Sequence, residues 1–135
     1  MNLLIIDDDA ICSFINTRVA QTSGLFREIL SVQNGKDALD FLQTVSKGKG
    51  RSPDVILVDL NMPIVNGFDF ITAFHDMNLD NKENIGVVVL TSSEDARDID
   101  RARALGIEHY LMKPLTVNSL QATIFSLKKK QTSVA

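Results

Sequence analysis

Short unbroken apolar runs alternate along this chain with stretches in which apolar side chains return every three or four positions. The runs are Leu3–Ile6, Val55–Val58, Val87–Leu90 and Tyr110–Met112, with a more mixed one at Glu28–Val32. Runs of this length, rich in valine and isoleucine and bounded by turn residues, predict strands buried on both faces. The stretches between them follow helical spacing: Ala38, Phe41, Leu42 and Val45, then Phe70, Ala73, Phe74 and Met77, then Leu120, Ile124 and Leu127. Ile11, Ile15 and Val19 repeat the pattern more loosely near the start. Ile99, Ala102 and Leu105 make a weaker stripe, closed by Gly106 in a C-cap position. Pro114 excludes helix just ahead of Thr116, which is placed to cap the last helix.

Five strands, each followed by a helix, predict a parallel sheet with helices on both faces. Right-handed crossovers make it an open, doubly wound α/β sheet. Sheets of this kind bind ligands outside the carboxyl ends of their strands. The residues at those ends are Asp7-Asp8-Asp9, Asp59-Leu60-Asn61, Thr91-Ser92-Ser93 and Lys113-Pro114. Several carboxylates at one edge repel one another unless a cation sits among them. Hard oxygen donors suit Mg²⁺, or Mn²⁺, with water completing the shell. A metal and a lysine such as Lys113 neutralise the charge that spreads over a phosphoryl group during its transfer to a carboxylate. A hydroxyl from Thr91 is placed to donate to the phosphoryl oxygen once it arrives.

Composition narrows the classes. The 135 residues suit one domain, and their 44% hydrophobic and 23% charged content is ordinary for a globular chain. A net charge of −3 gives no basic footprint, so direct contact with nucleic acid is not expected. The single cysteine, Cys12, cannot form an internal disulfide, which fits a reducing compartment. Leu3–Ile6 is too short for a signal segment, and no apolar stretch approaches a membrane span. A cytoplasmic location without membrane insertion is expected.

The chain resembles the receiver domain of the two-component response regulators over nearly its whole length. The likeness lies in Leu4-Ile5-Ile6-Asp7-Asp8-Asp9, in Val58-Asp59-Leu60-Asn61-Met62-Pro63 followed by Gly67, in Val89-Leu90-Thr91-Ser92, and in Tyr110-Leu111-Met112-Lys113-Pro114-Leu115. Each motif alone is weak; four in order at suitable spacing are specific. The resemblance implies a flavodoxin-like sheet of strand order 2-1-3-4-5, with a domain over residues 1–130 and a short tail over 131–135. It implies a stand-alone receiver without an attached output domain. Asp59 would be the phosphoacceptor, served by a sensor histidine kinase or a histidine phosphotransfer protein. Asp8 and Asp59 would ligate the metal directly, Asn61 through its backbone carbonyl, and Asp7 through water. Lys113 would bind the phosphoryl group, with a cis bond to Pro114. Thr91 and Tyr110 would form a switch that alters the surface of the fourth helix, fifth strand and fifth helix, where a downstream protein binds. The domain assists only its own phosphorylation and dephosphorylation.

Plainer roles compete at several positions. Asp9 suits the N-cap of the first helix, Cys12 suits packing, and the Phe70/Phe74/Met77 stripe suits core. His75 and His109 receive no role. The connections 47–52 and 76–86 read as tolerated surface insertions. Two other classes stay open. One is an aspartyl phosphatase or phosphotransferase resembling the haloacid dehalogenases. Those place a second Asp two residues after the nucleophile, where this chain has Asn61. The other is a receiver that docks without being phosphorylated.

Overall fold

The computed structural model describes residues 1–60, 66–92 and 96–132, apart from the side chains of residues 96 and 130–132. Ten elements alternate along it: β1 (Asn2–Ile6), α1 (Ala10–Ser23), β2 (Glu28–Val32), α2 (Gly35–Ser46), β3 (Val55–Asp59), α3 (Gly67–Asp76), β4 (Gly86–Thr91), α4 (Ala96–Ala104), β5 (His109–Met112) and α5 (Val117–Thr132). α5 continues past the expected domain end at 130. A single 3₁₀ turn, Lys82–Asn84, precedes β4. The strands pair in parallel in the order β2-β1-β3-β4-β5, the doubly wound, flavodoxin-like arrangement expected from the sequence.

Period-two alternation along the strands divides the core into two layers. Leu4, Ile6, Ile56, Val58 and Val89 face α2, α3 and α4, where they meet Leu42, Phe70, Phe74 and Ala102. Leu3, Ile5, Leu57, Val88 and Leu90 face α1 and α5, against Ala20, Leu120, Ile124 and Leu127. Phe70 and Phe74 stack with ring centroids 6.1 Å apart, so that stripe is core as expected. The central strands β1 and β3 are buried on both faces, whereas β2 and β5 are not. The expectation of two buried faces therefore fails for Tyr110–Met112. β5 is an edge strand, covered on one side only by its neighbour, and Met112 is exposed.

The caps follow the sequence closely. Asp9 accepts from the amides of Ile11 and Cys12 and opens α1. Thr116 Oγ1 accepts from the Ser119 amide at 3.0 Å and opens α5. Gly106, at φ 87°, ends α4: its amide donates to Arg103 O, and Ile107 N donates to Ala102 O, the paired bonds of a Schellman end.

Two expectations need correction. The face of α1 that packs inward carries Asn16, Ala20 and Ser23, while Ile11 and Phe14 stand 72% and 66% exposed and Ile15 is also exposed. α1 packs beside α5 on one face of the sheet, and the small Ala20 and Ser23 allow close approach; Gln121 of α5 reaches the Ser23 carbonyl at 3.1 Å. The segment 76–86 is also more than a tolerated insertion. Leu79 and Ile85 are buried, and the Lys82 ammonium donates to the carbonyls of His75 and Met77, closing the C-terminal end of α3. By contrast 47–52 is exposed, with glycines 48 and 50 at positive φ and a loose Arg51–Glu28 ion pair of 3.7 Å.

Gly67 determines how α3 leaves the acidic edge. A Cβ there would stand 2.6 Å from Leu60 Cα and 2.7 Å from Asp59 O, both backbone atoms that cannot swing aside. Gly67→Ala is expected to lower the unfolding free energy by about 1–3 kcal/mol, the usual range for forcing extra volume into a packed site. Urea unfolding followed by circular dichroism measures it; an unchanged midpoint would mean that the contact relaxes freely.

Candidate functional site at the carboxyl edge of the sheet

β1, β3, β4 and β5 all end at the same edge, and each delivers polar chemistry there. Asp7 follows β1, Asp59 closes β3, Thr91 closes β4 and Lys113 follows β5. Asp7, Asp59 and Thr91 are almost wholly buried, at 1%, 4% and 1% exposure, whereas Asp8 is exposed. Backbone bonds set the spacing: Asp7 N donates to Val32 O, and Lys113 N donates to Thr91 O at 2.8 Å. The Lys113–Pro114 peptide is cis, as the family resemblance implies.

The carboxylates of Asp7, Asp8 and Asp59 each offer an oxygen within 4.8 Å of the others. Lys113 Nζ lies 3.0 Å from Asp59 Oδ2 in a largely buried ion pair. Asp7 Oδ1 accepts from the Asp9 amide, but Asp7 Oδ2 is buried with no hydrogen-bond partner among the described residues. A buried carboxylate oxygen left this way is costly, and it marks a place where a cation or its water would be satisfied. The donor set, hard oxygens in a tight cluster, fits a divalent cation of the magnesium type.

The electrostatics express the same crowding. Burial, aided by the charges of Asp59 and Asp8, pushes the Asp7 carboxyl above the usual carboxylate range, against the Asp9 amide bond that lowers it. Burial pulls the Lys113 ammonium down, but its bond to Asp59 and the charges of Asp59 and Asp7 outweigh that, leaving it raised. Asp9 runs the other way: the amides of Cys12 and Ile11 hold its carboxyl low, which fits a cap and not a member of the cluster.

The edge therefore gathers Asp7, Asp8, Asp59, Thr91 and Lys113, all expected from the sequence. Asn61 lies outside the described residues, as do Met62, Pro63 and Ser93. Tyr110 stands a short way along β5, half-buried. It is the register neighbour of Val89, and alternation puts Thr91 on the same face as Val89. Sequence reasoning missed its partner: Arg103 Nη2 donates to the Tyr110 hydroxyl at 2.7 Å. It also missed an apolar cleft of about 260 Å³ beside the site, lined by Cys12, Ile15, Asn16, Lys113, Pro114 and Leu115. Cys12 packs there as expected, its thiol raised by burial and then by Asp9. Asn16 Nδ2, buried without a partner, borders the same cleft. Ile11 and Ile15 belong to the loose first stripe, and its looseness, with Phe14 standing off it, was the available signal. His75 and His109 stay away from the cluster; His75 Nε2 donates to Leu105 O at 2.7 Å, tying α3 to the end of α4.

Comparison with known proteins agrees with this geometry. Residues 3–125 match the family described as response regulator receiver domain. A crystal structure of a two component response regulator from Cytophaga hutchinsonii superposes with a TM-score of 0.84 at 35% identity, covering 95% of this chain and 96% of that one. The probable methanogenesis regulatory protein FilR2 of Methanothrix harundinacea is 31% identical over 128 residues, 94% of this chain and 81% of FilR2. The rice two-component response regulator ORR1 is 29% identical over 126 residues, 88% of this chain, which spans only 52% of that protein's length.

The raised Asp7 carboxyl has a thermodynamic consequence. The folded state holds that proton more tightly than the unfolded chain, so the associated stability is present at low pH and lost as pH rises through the folded-state value. Asp7→Asn is expected to raise the melting temperature at pH 7 in chelator-treated buffer by about 3–6 °C, corresponding to ~1 kcal/mol. The gain should shrink as pH falls through the folded-state value and be gone below the ordinary carboxylate value of 3.8. Added Mg²⁺ should narrow the gap by stabilising the unsubstituted protein. Calorimetry across pH checks this, and equal melting temperatures at pH 7 would contradict it.

Proposed function

The chain belongs to the response regulator receiver domain family, whose members act in two-component signalling, and on that premise we propose that Asp59 is its phosphoacceptor. The observation that carries this reading is the cluster of Asp7, Asp8 and Asp59 at the carboxyl edge, with Lys113 Nζ 3.0 Å from Asp59. Asp59 is the one carboxylate there with both a cationic partner and carboxylate neighbours able to hold a metal.

In this reading Asp8, Asp59 and the Asn61 backbone carbonyl would hold Mg²⁺, with Mn²⁺ an alternative, and Asp7 would act through water. The metal supplies charge neutralisation at the phosphoryl oxygens. Asp59 attacks phosphorus in line; a P–O bond forms as the P–N bond of a partner's phosphohistidine breaks, and the histidine nitrogen is reprotonated. Lys113 shifts from Asp59 Oδ2 to share its charge with the phosphoryl oxygens, and burial of the pocket strengthens that interaction. Thr91 donates its hydroxyl to one of those oxygens. Tyr110 then turns inward on the shared face, changing the α4-β5-α5 surface read by a downstream protein. The exposed Ile11, Phe14 and Ile15, beside the cleft at Lys113, offer an apolar landing for the phosphodonor partner, a sensor histidine kinase or histidine phosphotransfer protein. No helix among the described residues is long and apolar enough to cross a membrane. The cytoplasm is the compartment this reading assigns, with residues 1–130 as the receiver and 131–135 as its tail.

Incubation with Mg²⁺ and acetyl phosphate should add one phosphoryl mass that hydroxylamine removes. Asp59→Ala should abolish the adduct, and Lys113→Ala should lower its steady level at least tenfold. A stable adduct on Asp59→Ala would move the acceptor elsewhere; multiple turnover of phosphomonoesters would favour the phosphatase reading. Chelation of the metal should suppress labelling of the unsubstituted protein to the Asp59→Ala level.

A further inference from the structure

We propose that Arg103 is a positioning residue that holds Tyr110 outward and thereby sets the threshold at which the occupied site can recruit it. The inference rests on the Thr91–Tyr110 switch proposed above and names what opposes it. Arg103 Nη2 donates to the Tyr110 hydroxyl at 2.7 Å, and the guanidinium carbon lies 5.9 Å from the ring centroid. One side chain thus engages both the polar tip and the ring of the tyrosine. Tyr110 cannot turn inward on its strand without giving up that hydrogen bond.

The arginine is held where it can act this way. It sits in the last turn of α4, and its carbonyl accepts from the Gly106 amide in the Schellman end. His75 Nε2 donates to Leu105 O, anchoring the same end of α4 to α3, while Ala102 is fixed in the core. The next arginine toward the N-terminus, Arg101, points to a different aromatic: its guanidinium carbon is 4.1 Å from the Phe68 centroid. The two arginines therefore have separate tasks, and of the pair it is Arg103 that bonds to the tyrosine. Because the contact is solvent-exposed, its effect on the equilibrium should be modest, about 2- to 10-fold.

The chain contains one tyrosine and no tryptophan, so intrinsic tyrosine emission reports Tyr110 alone. The experiment titrates the full chain, in Mg²⁺, with beryllofluoride as the phosphoryl mimic, and follows that emission while fluorine NMR counts the bound mimic. The unsubstituted protein should change emission in step with occupancy. In Arg103→Met the midpoint should fall about 2- to 10-fold, and Arg103→Lys, which keeps the charge without the fork, should lie between. The midpoint is decisive, since the starting emission also reflects loss of the arginine itself. An unchanged midpoint in Arg103→Met, with emission still following occupancy, would overturn the role of Arg103 and leave the switch standing. Bound mimic without any emission change in the unsubstituted protein would remove the switch and this inference together. If Arg103→Met fails to fold by circular dichroism, Arg103→Lys carries the test, and a midpoint equal to the unsubstituted one overturns it.

Discussion

Crowded negative charge at the carboxyl edge of the sheet is the constraint around which this molecule is built. Asp7 and Asp59 are buried where water cannot screen them, with Asp8 close by and a single lysine paired to Asp59. Such a cluster is tolerable only if cationic partners are available, and among the described residues Asp7 Oδ2 has no hydrogen-bond partner. The fold thus accepts a local cost that a bound cation offsets. The same charges that crowd this pocket suit it to a divalent cation.

Position follows from topology. A doubly wound parallel sheet brings the carboxyl ends of its strands to one edge, so residues far apart in the chain meet without any dedicated loop; the Lys113–Asp59 bond spans 54 positions. Rigid elements hold the chemistry: Lys113 is tied to Thr91 through the backbone, and Gly67 lets α3 start against the backbone of Asp59 and Leu60. In the proposed switch, coupling out of the site would run through side chains that share one face of the sheet. Thr91 and Tyr110 lie on that face beside α4, whose C-terminal end is fastened by Gly106 and His75. The two tyrosine positions proposed for that switch would suit a population shift better than a rigid lever.

The family places this chain in two-component signalling as a receiver domain, a signalling module. The rice relative it matches is about twice as long, and what that protein does as a whole does not pass to this chain with the domain. The family match does not by itself describe the apolar outer face of α1, the Lys82 cap that turns the 76–86 connection into structure, or the arginine over Tyr110.

Local chemistry in the sequence determined the strands, the helix boundaries and the residues of the acidic edge. These depend on short-range rules: apolar runs for buried strands, Asp9 and Thr116 as caps, Gly106 in a left-handed C-cap, carboxylates at strand ends. Tertiary structure decided what depends on which surface meets which. It turned α1 so that Asn16, Ala20 and Ser23 face inward and Ile11, Phe14 and Ile15 face out, because helical spacing gives a stripe but not the side on which α5 will pack. It left one face of β5 open because edge position is a property of the sheet, not of the run Tyr110–Met112. And it brought Arg103 over Tyr110 across a loop, a pairing of exposed side chains with no periodic signature in the chain.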